Sequence, residues 1–143
     1  MKKFFILLLI LIFPNFVYSF EIPKDLNIHQ PHFAMSVDEA LNQDRPFLLV
    51  FASSYLPGTL VPFVPVGEMI YKNFENDYNF SIVNVEFPEQ NREALEFFKP
   101  DNIPAVYIVD AKNNKYLYIE KRYYDSYNMK KILTKYKEGI DLE

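Results

Sequence analysis

The seven residues PFLLVFA, at positions 46–52, carry no charge and show no alternation of apolar with polar side chains. A strand with one wet face alternates, whereas a strand covered on both faces reads as a continuous apolar run of this length. A chain containing such a strand must supply layers for both sides of it. The economical solution is a sheet with helices packed on each face.

The flanking sequence provides those layers. Before the run, SVDEALNQ has Ser36 followed three residues later by Glu39, a capping box, so it opens a short helix that Asp44-Arg45-Pro46 closes. From its end, FASSYLPGTLVPF and the VPVG that follows place Pro57, Pro62 and Pro65 within nine residues, with Gly58 and Gly67 nearby. Each proline removes a backbone donor. The expectation is a loop or broken turn up to about Pro65, followed by a helix over about 66–78 with Val66, Met69, Ile70 and Phe74 on its apolar side. SIVNVEF is rich in β-branched residues and predicts a second strand. EQNREALEFFK predicts a helix with Ala94, Leu95 and Phe98 on one face, ended by Pro100. AVYIV and YLYIEKR predict a strand hairpin about the turn DAKNNK, and Asp125 or Ser126 caps a last helix striped by Met129, Ile132, Leu133 and Tyr136. The order α-β-α-β-α-β-β-α, with right-handed crossovers, gives an α/β fold: a central mixed four-stranded sheet flanked by helices.

The N-terminus has a different character. Residues 1–19 have Lys2 and Lys3 before an apolar stretch from Phe4 to Phe13, with small residues Val17 and Ser19 at the positions a signal peptidase reads. The stretch is shorter than the roughly 20 residues a membrane span needs. The partition expected is a signal peptide over 1–19, an extended arm over 20–35 interrupted by Pro23 and Pro31, and one domain over 36–143. Export to the periplasm or beyond follows, with an uncleaved signal anchor as the alternative. No membrane insertion is expected once the signal is removed.

Cysteine is absent from the whole chain, so no disulfide staples the exported domain and its core must hold the fold. Removing the leader takes away two lysines and no acids, moving the net charge from −4 to −6. An acidic chain without a basic cluster argues against nucleic acid and anionic lipid, both of which are bound by neutralising phosphate.

Three landmarks together give a family resemblance: the capped short helix before a buried strand, the strand-to-helix junction FASSYLPG, and Ile103-Pro104 immediately before AVYIV. Over residues 36–140 the chain resembles the thioredoxin-like superfamily, as an exported member lacking the C-x-x-C motif. The resemblance implies a cis peptide bond at Ile103-Pro104. It places Tyr55 where redox members have the nucleophilic cysteine and Gly58 where they have the resolving one. The buried acid of those members falls on Leu49, and the accompanying lysine near Ile82. Thiol–disulfide exchange needs a thiolate and a second thiol, so no oxidoreductase activity is expected of this chain alone, and no catalytic residue, cofactor or metal is assigned.

Other constellations are weaker. His29 and His32 have a metal-compatible spacing but lack the further ligands a structural zinc site requires. Ser53 or Ser54 has no nucleophile-elbow sequence around it. Glu86, Glu89, Glu93 and Glu96 read as the approach to a helix and its solvated face. Alternation in β-strand YLYIEKR puts Tyr116, Tyr118 and Glu120 on one face and Leu117, Ile119 and Lys121 on the other, so a tyrosine row covers the sheet edge or forms a contact patch.

What the resemblance implies for function is a groove between the former motif loop and the Ile103-Pro104 turn. Its candidate contacts are Tyr55, Leu56, Pro57, Gly58, Ile103, Pro104 and Ala105, and its occupant is an extended peptide or protein client paired through main-chain hydrogen bonds. Two other readings stay open: a structural subunit of an envelope assembly for secretion, conjugation or cytochrome maturation, and an enzyme with non-thiol chemistry. Neither the client nor the oligomeric state is legible.

Overall fold

The computed structural model describes residues 34–140. Ser36 accepts from the Glu39 amide and Glu39 returns a bond to the Ser36 amide, so the expected capping box nucleates α1, Val37–Leu41. PFLLVFA becomes β1, Phe47–Ala52, with every residue buried. A short 3₁₀ turn, Pro57–Thr59, precedes α2, Phe63–Asn73. Then follow β2, Asn79–Asn84, α3, Arg92–Phe98, β3, Ala105–Asp110, and β4, Lys115–Ile119. A second 3₁₀ turn, Lys121–Tyr123, leads into α4, Ser126–Lys137, capped by the Asp125 carboxylate.

The strand order is β2-β1-β3-β4. β1 runs parallel to β2 and antiparallel to β3, and β3 pairs antiparallel with β4. Helix α2 makes the crossover between the two parallel strands. Met35, at the end of the stretch read as an arm, is tied to the sheet beyond β2: it bridges Ser81, its amide donates to Phe80 and its carbonyl accepts the Ser81 hydroxyl. This is the mixed four-stranded, thioredoxin-like α/β architecture that the sequence resemblance implies.

Alternation along β1 splits the core. Leu48, Val50 and Ala52 face α2 and α4 with Phe63, Val66, Met129 and Leu133, while Phe47, Leu49 and Phe51 face α1 and α3 with Ala40, Leu95 and Phe98. Both faces of β1 are dry, which is why its sequence lacks alternation. Each fully buried Leu or Phe contributes roughly 1.5–3 kcal/mol, so the strand is the main apolar investment of the fold.

One element begins earlier than its pattern suggests. Helix α2 starts at Phe63, not Val66, and it ends at Asn73, not residue 78. Pro62 is its N-cap residue and Pro65 lies in its first turn, where backbone N–H groups have no intrahelical acceptor and a missing donor costs nothing. Prolines that read as breakers are thus accommodated at the start. The loop expected before them is present over residues 53–62, apart from the single 3₁₀ turn.

The last turns are fixed by side chains. Lys99, at φ 46, ends α3 in the left-handed region just before Pro100, and Asn114, at φ 57, turns the hairpin. Asp110 holds that hairpin: its carboxylate accepts from the Asn113 amide and side chain and from the Tyr136 hydroxyl at 2.8 Å, joining β3 to α4. Burial works to raise its pKa, but the bonds from Asn113 and Tyr136 prevail and keep the carboxyl below the usual carboxylate range.

Candidate functional site

β1 leaves the sheet at Ala52 and β3 enters it at Ala105, and Phe51 and Ala105 are Cα partners. The loop after β1 and the turn before β3 therefore sit on adjacent strands at one end of the sheet. The Ile103-Pro104 bond is cis. Ile103 and Pro104 are half-buried and Ala105 is buried. Among the described residues, no backbone hydrogen bond is made by Ile103. The Pro104 carbonyl lies 3.5 Å from the hydroxyl of Tyr124, whose ring packs on Phe63. Burial pushes the Tyr124 phenol above its ordinary pKa, so it remains a neutral donor.

The loop itself is built on polar side chains. The Ser53 amide donates to Thr59 Oγ1 at 2.9 Å, and the single Thr59 hydroxyl proton is best placed on the Leu56 carbonyl at 2.7 Å. The Leu56 amide returns to the Ser53 carbonyl at 3.1 Å, closing the turn. Ser53 Oγ donates to Glu86 and accepts from the Tyr55 amide. Asn84, at the end of β2, accepts from the Ser54 and Glu86 amides and donates to Ser54 Oγ at 3.0 Å. Ser53, Thr59 and Asn84 are all buried.

This network fixes the base of the loop and leaves its tip in water. Tyr55 is 72% exposed and Leu56 52% exposed, and neither side chain is part of the core. Pro57 and Gly58 are exposed beside them. Gly58 does not require its lack of a side chain, because a Cβ built there meets nothing within 4 Å.

The network was not read from the sequence. Glu86 belongs to it, half-buried at the base of the loop, and not to a solvated helix face; Glu89, Glu93 and Glu96 are exposed as expected. Polar residues of two separate segments, Ser53, Ser54 and Thr59 in the loop and Asn84 and Glu86 after it, converge here, and spacing carries no signal for that. Ser53, with no exposed surface, is closed to any substrate by the chain that surrounds it.

Leu49, aligned with the buried acid of redox members, has no exposed surface and lies among Phe47, Phe51, Val83 and Val109. Ile82 packs at the border of the opposite core. Two large concavities lie away from the loop. One of about 720 Å³ separates α1 from α3, and one of about 980 Å³ follows β4 and α4. Neither is lined by Tyr55, Leu56, Ile103 or Pro104.

Residues 1–33 lie outside the described residues, and with them the signal peptide, most of the arm, and His29 and His32. Among the described residues no group of three or more His, Cys, Asp or Glu side chains is placed to hold a metal ion, and no helix is long and apolar enough to cross a membrane.

No protein-family model matches the sequence, and no curated protein matches it. Among solved structures, the chain is similar to the crystal structure of the bb fragment of ERp72, at 18% identity and a TM-score of 0.46. That similarity covers 76% of this chain and 48% of the other, so the chain spans about half the length of the structure it matches.

Proposed function

We propose that this chain is an exported, redox-inactive thioredoxin-like module that binds an extended segment of a client protein in the cell envelope. The observation that carries the reading is the loop 53–59: six polar contacts lock its base, while Tyr55 and Leu56 stand exposed at its tip. Ordering two large apolar side chains in water brings the isolated domain no burial energy. It does lower the entropy lost when a partner covers them. Beside them, Ile103 offers backbone groups that form no hydrogen bond among the described residues, the type of group an added strand uses.

The absence of any cysteine removes thiol–disulfide exchange from the chain's own repertoire. The export assignment rests on residues 1–19 of the sequence. A second reading, a structural subunit of an envelope assembly, is favoured by a separate patch of exposed aromatics, Phe97, Tyr116 and Tyr118.

A photo-crosslinking residue at position 55 in living cells tests the proposal. A defined partner protein should be captured, and capture should fall when Leu56 is also changed to Ser. Adducts unaffected by Leu56→Ser, or confined to a crosslinker placed at Tyr118, would remove the loop from the binding surface.

A further inference from the structure

β4 is the outer strand of the sheet. It pairs with β3 on one side, and no described residue pairs with its other side. Natural strand edges are blunted by shortness, by lysine or other charge, by proline, by bulges or by a covering element. β4 is short and starts with Lys115, but Tyr116-Leu117-Tyr118-Ile119 have neither charge nor proline, and among the described residues no element covers them: a concavity of about 980 Å³ follows the edge from Lys115 to Glu120. Its far wall includes Ile132, Tyr136 and Ile140.

Most charges around this concavity are already matched within the domain. Lys137 lies 3.0 Å from Asp77, Arg122 lies 2.7 Å from Glu120, Lys115 sits over the Tyr136 ring, and Asp110 takes the Tyr136 hydroxyl. Apart from Lys115, which has only the Tyr136 ring beside it, these charges are paired, so the segment that fits along Tyr116–Ile119 is uncharged, extended and rich in aromatic and aliphatic side chains. β4 is such a segment over Tyr116–Ile119, with its one charge, Lys115, at the end.

We propose that the edge is occupied by β4 of a second copy of this chain, antiparallel about a two-fold axis through Leu117. An axis perpendicular to the sheet keeps like faces together, so only registers centred on a residue are allowed. Centring on Leu117 sets Tyr116 opposite Tyr118 and Lys115 opposite Ile119. Centring on Tyr118 sets Lys115 opposite Lys121, a like-charge pair that disfavours the register. Centring on Tyr116 sets Ile119 against the turn residue Asn113 and shortens the pairing. The chosen register also extends an existing array. Tyr116 and Tyr118 are 53% and 55% exposed, with rings 5.3 Å from Phe97 and 5.5 Å from Tyr107 respectively, and each gains a cross-strand aromatic neighbour. One strand edge and a few half-covered aromatics fall short of the roughly 800 Å² per partner of a standard interface, so the dimer is a weak one.

The cysteine-free background allows a direct test. Tyr116→Cys and Tyr118→Cys are made separately in the full chain without its leader, and mild oxidation is followed for each alone and for the mixture. In the proposed register the two different cysteines face each other, whereas identical ones are diagonal neighbours beyond the roughly 7 Å that a disulfide bridges. The mixture should therefore link several-fold faster than either variant alone. Light scattering should show a concentration-dependent dimer whose dissociation constant rises about tenfold with Tyr118→Glu, with the circular dichroism spectrum unchanged. Tyr116→Glu provides the same reading should Tyr118→Glu fail to fold. A monomer at all concentrations, equal linking in every combination, or preferential linking of Tyr118→Cys with itself overturns the proposal. So does a β4 edge that is captured in cells by another protein while the isolated chain stays monomeric.

Discussion

Leu49 and Asp110 are buried for opposite reasons. Leu49 is held only by packing, with no exposed surface, in the apolar cluster on its side of the sheet. Truncation to Ala should cost about 2–5 kcal/mol, read as a fall in the denaturation midpoint at unchanged slope. Asp110, 5% exposed, is held by hydrogen bonds to its ionised form. Its folded pKa is depressed, so its contribution is complete above the unfolded value near 3.9 and is lost as pH falls through the folded value. Asp110→Asn should therefore destabilise the protein by about 1.5–3 kcal/mol at neutral pH. The gap from the parent should narrow below about pH 4, and an unchanged gap in chemical denaturation at pH 3 and pH 7 would show that the charge plays no part. Gly58, with open space around it and no positive φ, should accept Ala with a gain of about 0.4–1 kcal/mol.

At the scale of elements, the loop 53–59 separates stability from contact. Thr59→Val leaves the buried Ser53 amide without its acceptor, and should cost about 1–3 kcal/mol in thermal or chemical denaturation. Changing Tyr55 and Leu56 to Ser removes two exposed side chains, and should alter stability by no more than about 0.5 kcal/mol while lowering client capture. The same geometry predicts that Tyr55→Cys with Gly58→Cys does not restore a redox site. Helix α2 begins at Phe63, eight residues beyond position 55, so position 55 is outside the first turn, where the helix-terminus field acts, and the cysteine should titrate near the ordinary 8.5. A thiol titration well below that value would show that another source of positive potential reaches the loop. The extent of α2 was only partly legible: the three prolines suggested a late start, but position within the first turn decides whether a proline breaks a helix, and that position is set by how Phe63 and Val66 reach the core.

At the scale of the whole molecule, the edges of the sheet differ. Beyond β2 lies the Met35 bridge, while among the described residues nothing pairs with the outer side of β4, whose stretch Tyr116–Ile119 is uncharged and aromatic-rich. Element types, their order and the two-sided burial of β1 could be read from the chain, because apolar period and capping chemistry are local properties and each residue states its own preference. The landmark Ile103-Pro104 could be read as well. The Ser53–Thr59–Asn84–Glu86 network, the hold of Tyr136 on Asp110 and the exposure of Tyr55, Leu56, Tyr116 and Tyr118 could be decided only by the tertiary structure. Each of these depends on which distant side chains the register of the strands brings within hydrogen-bond reach, and register is a relation between segments that no single segment encodes.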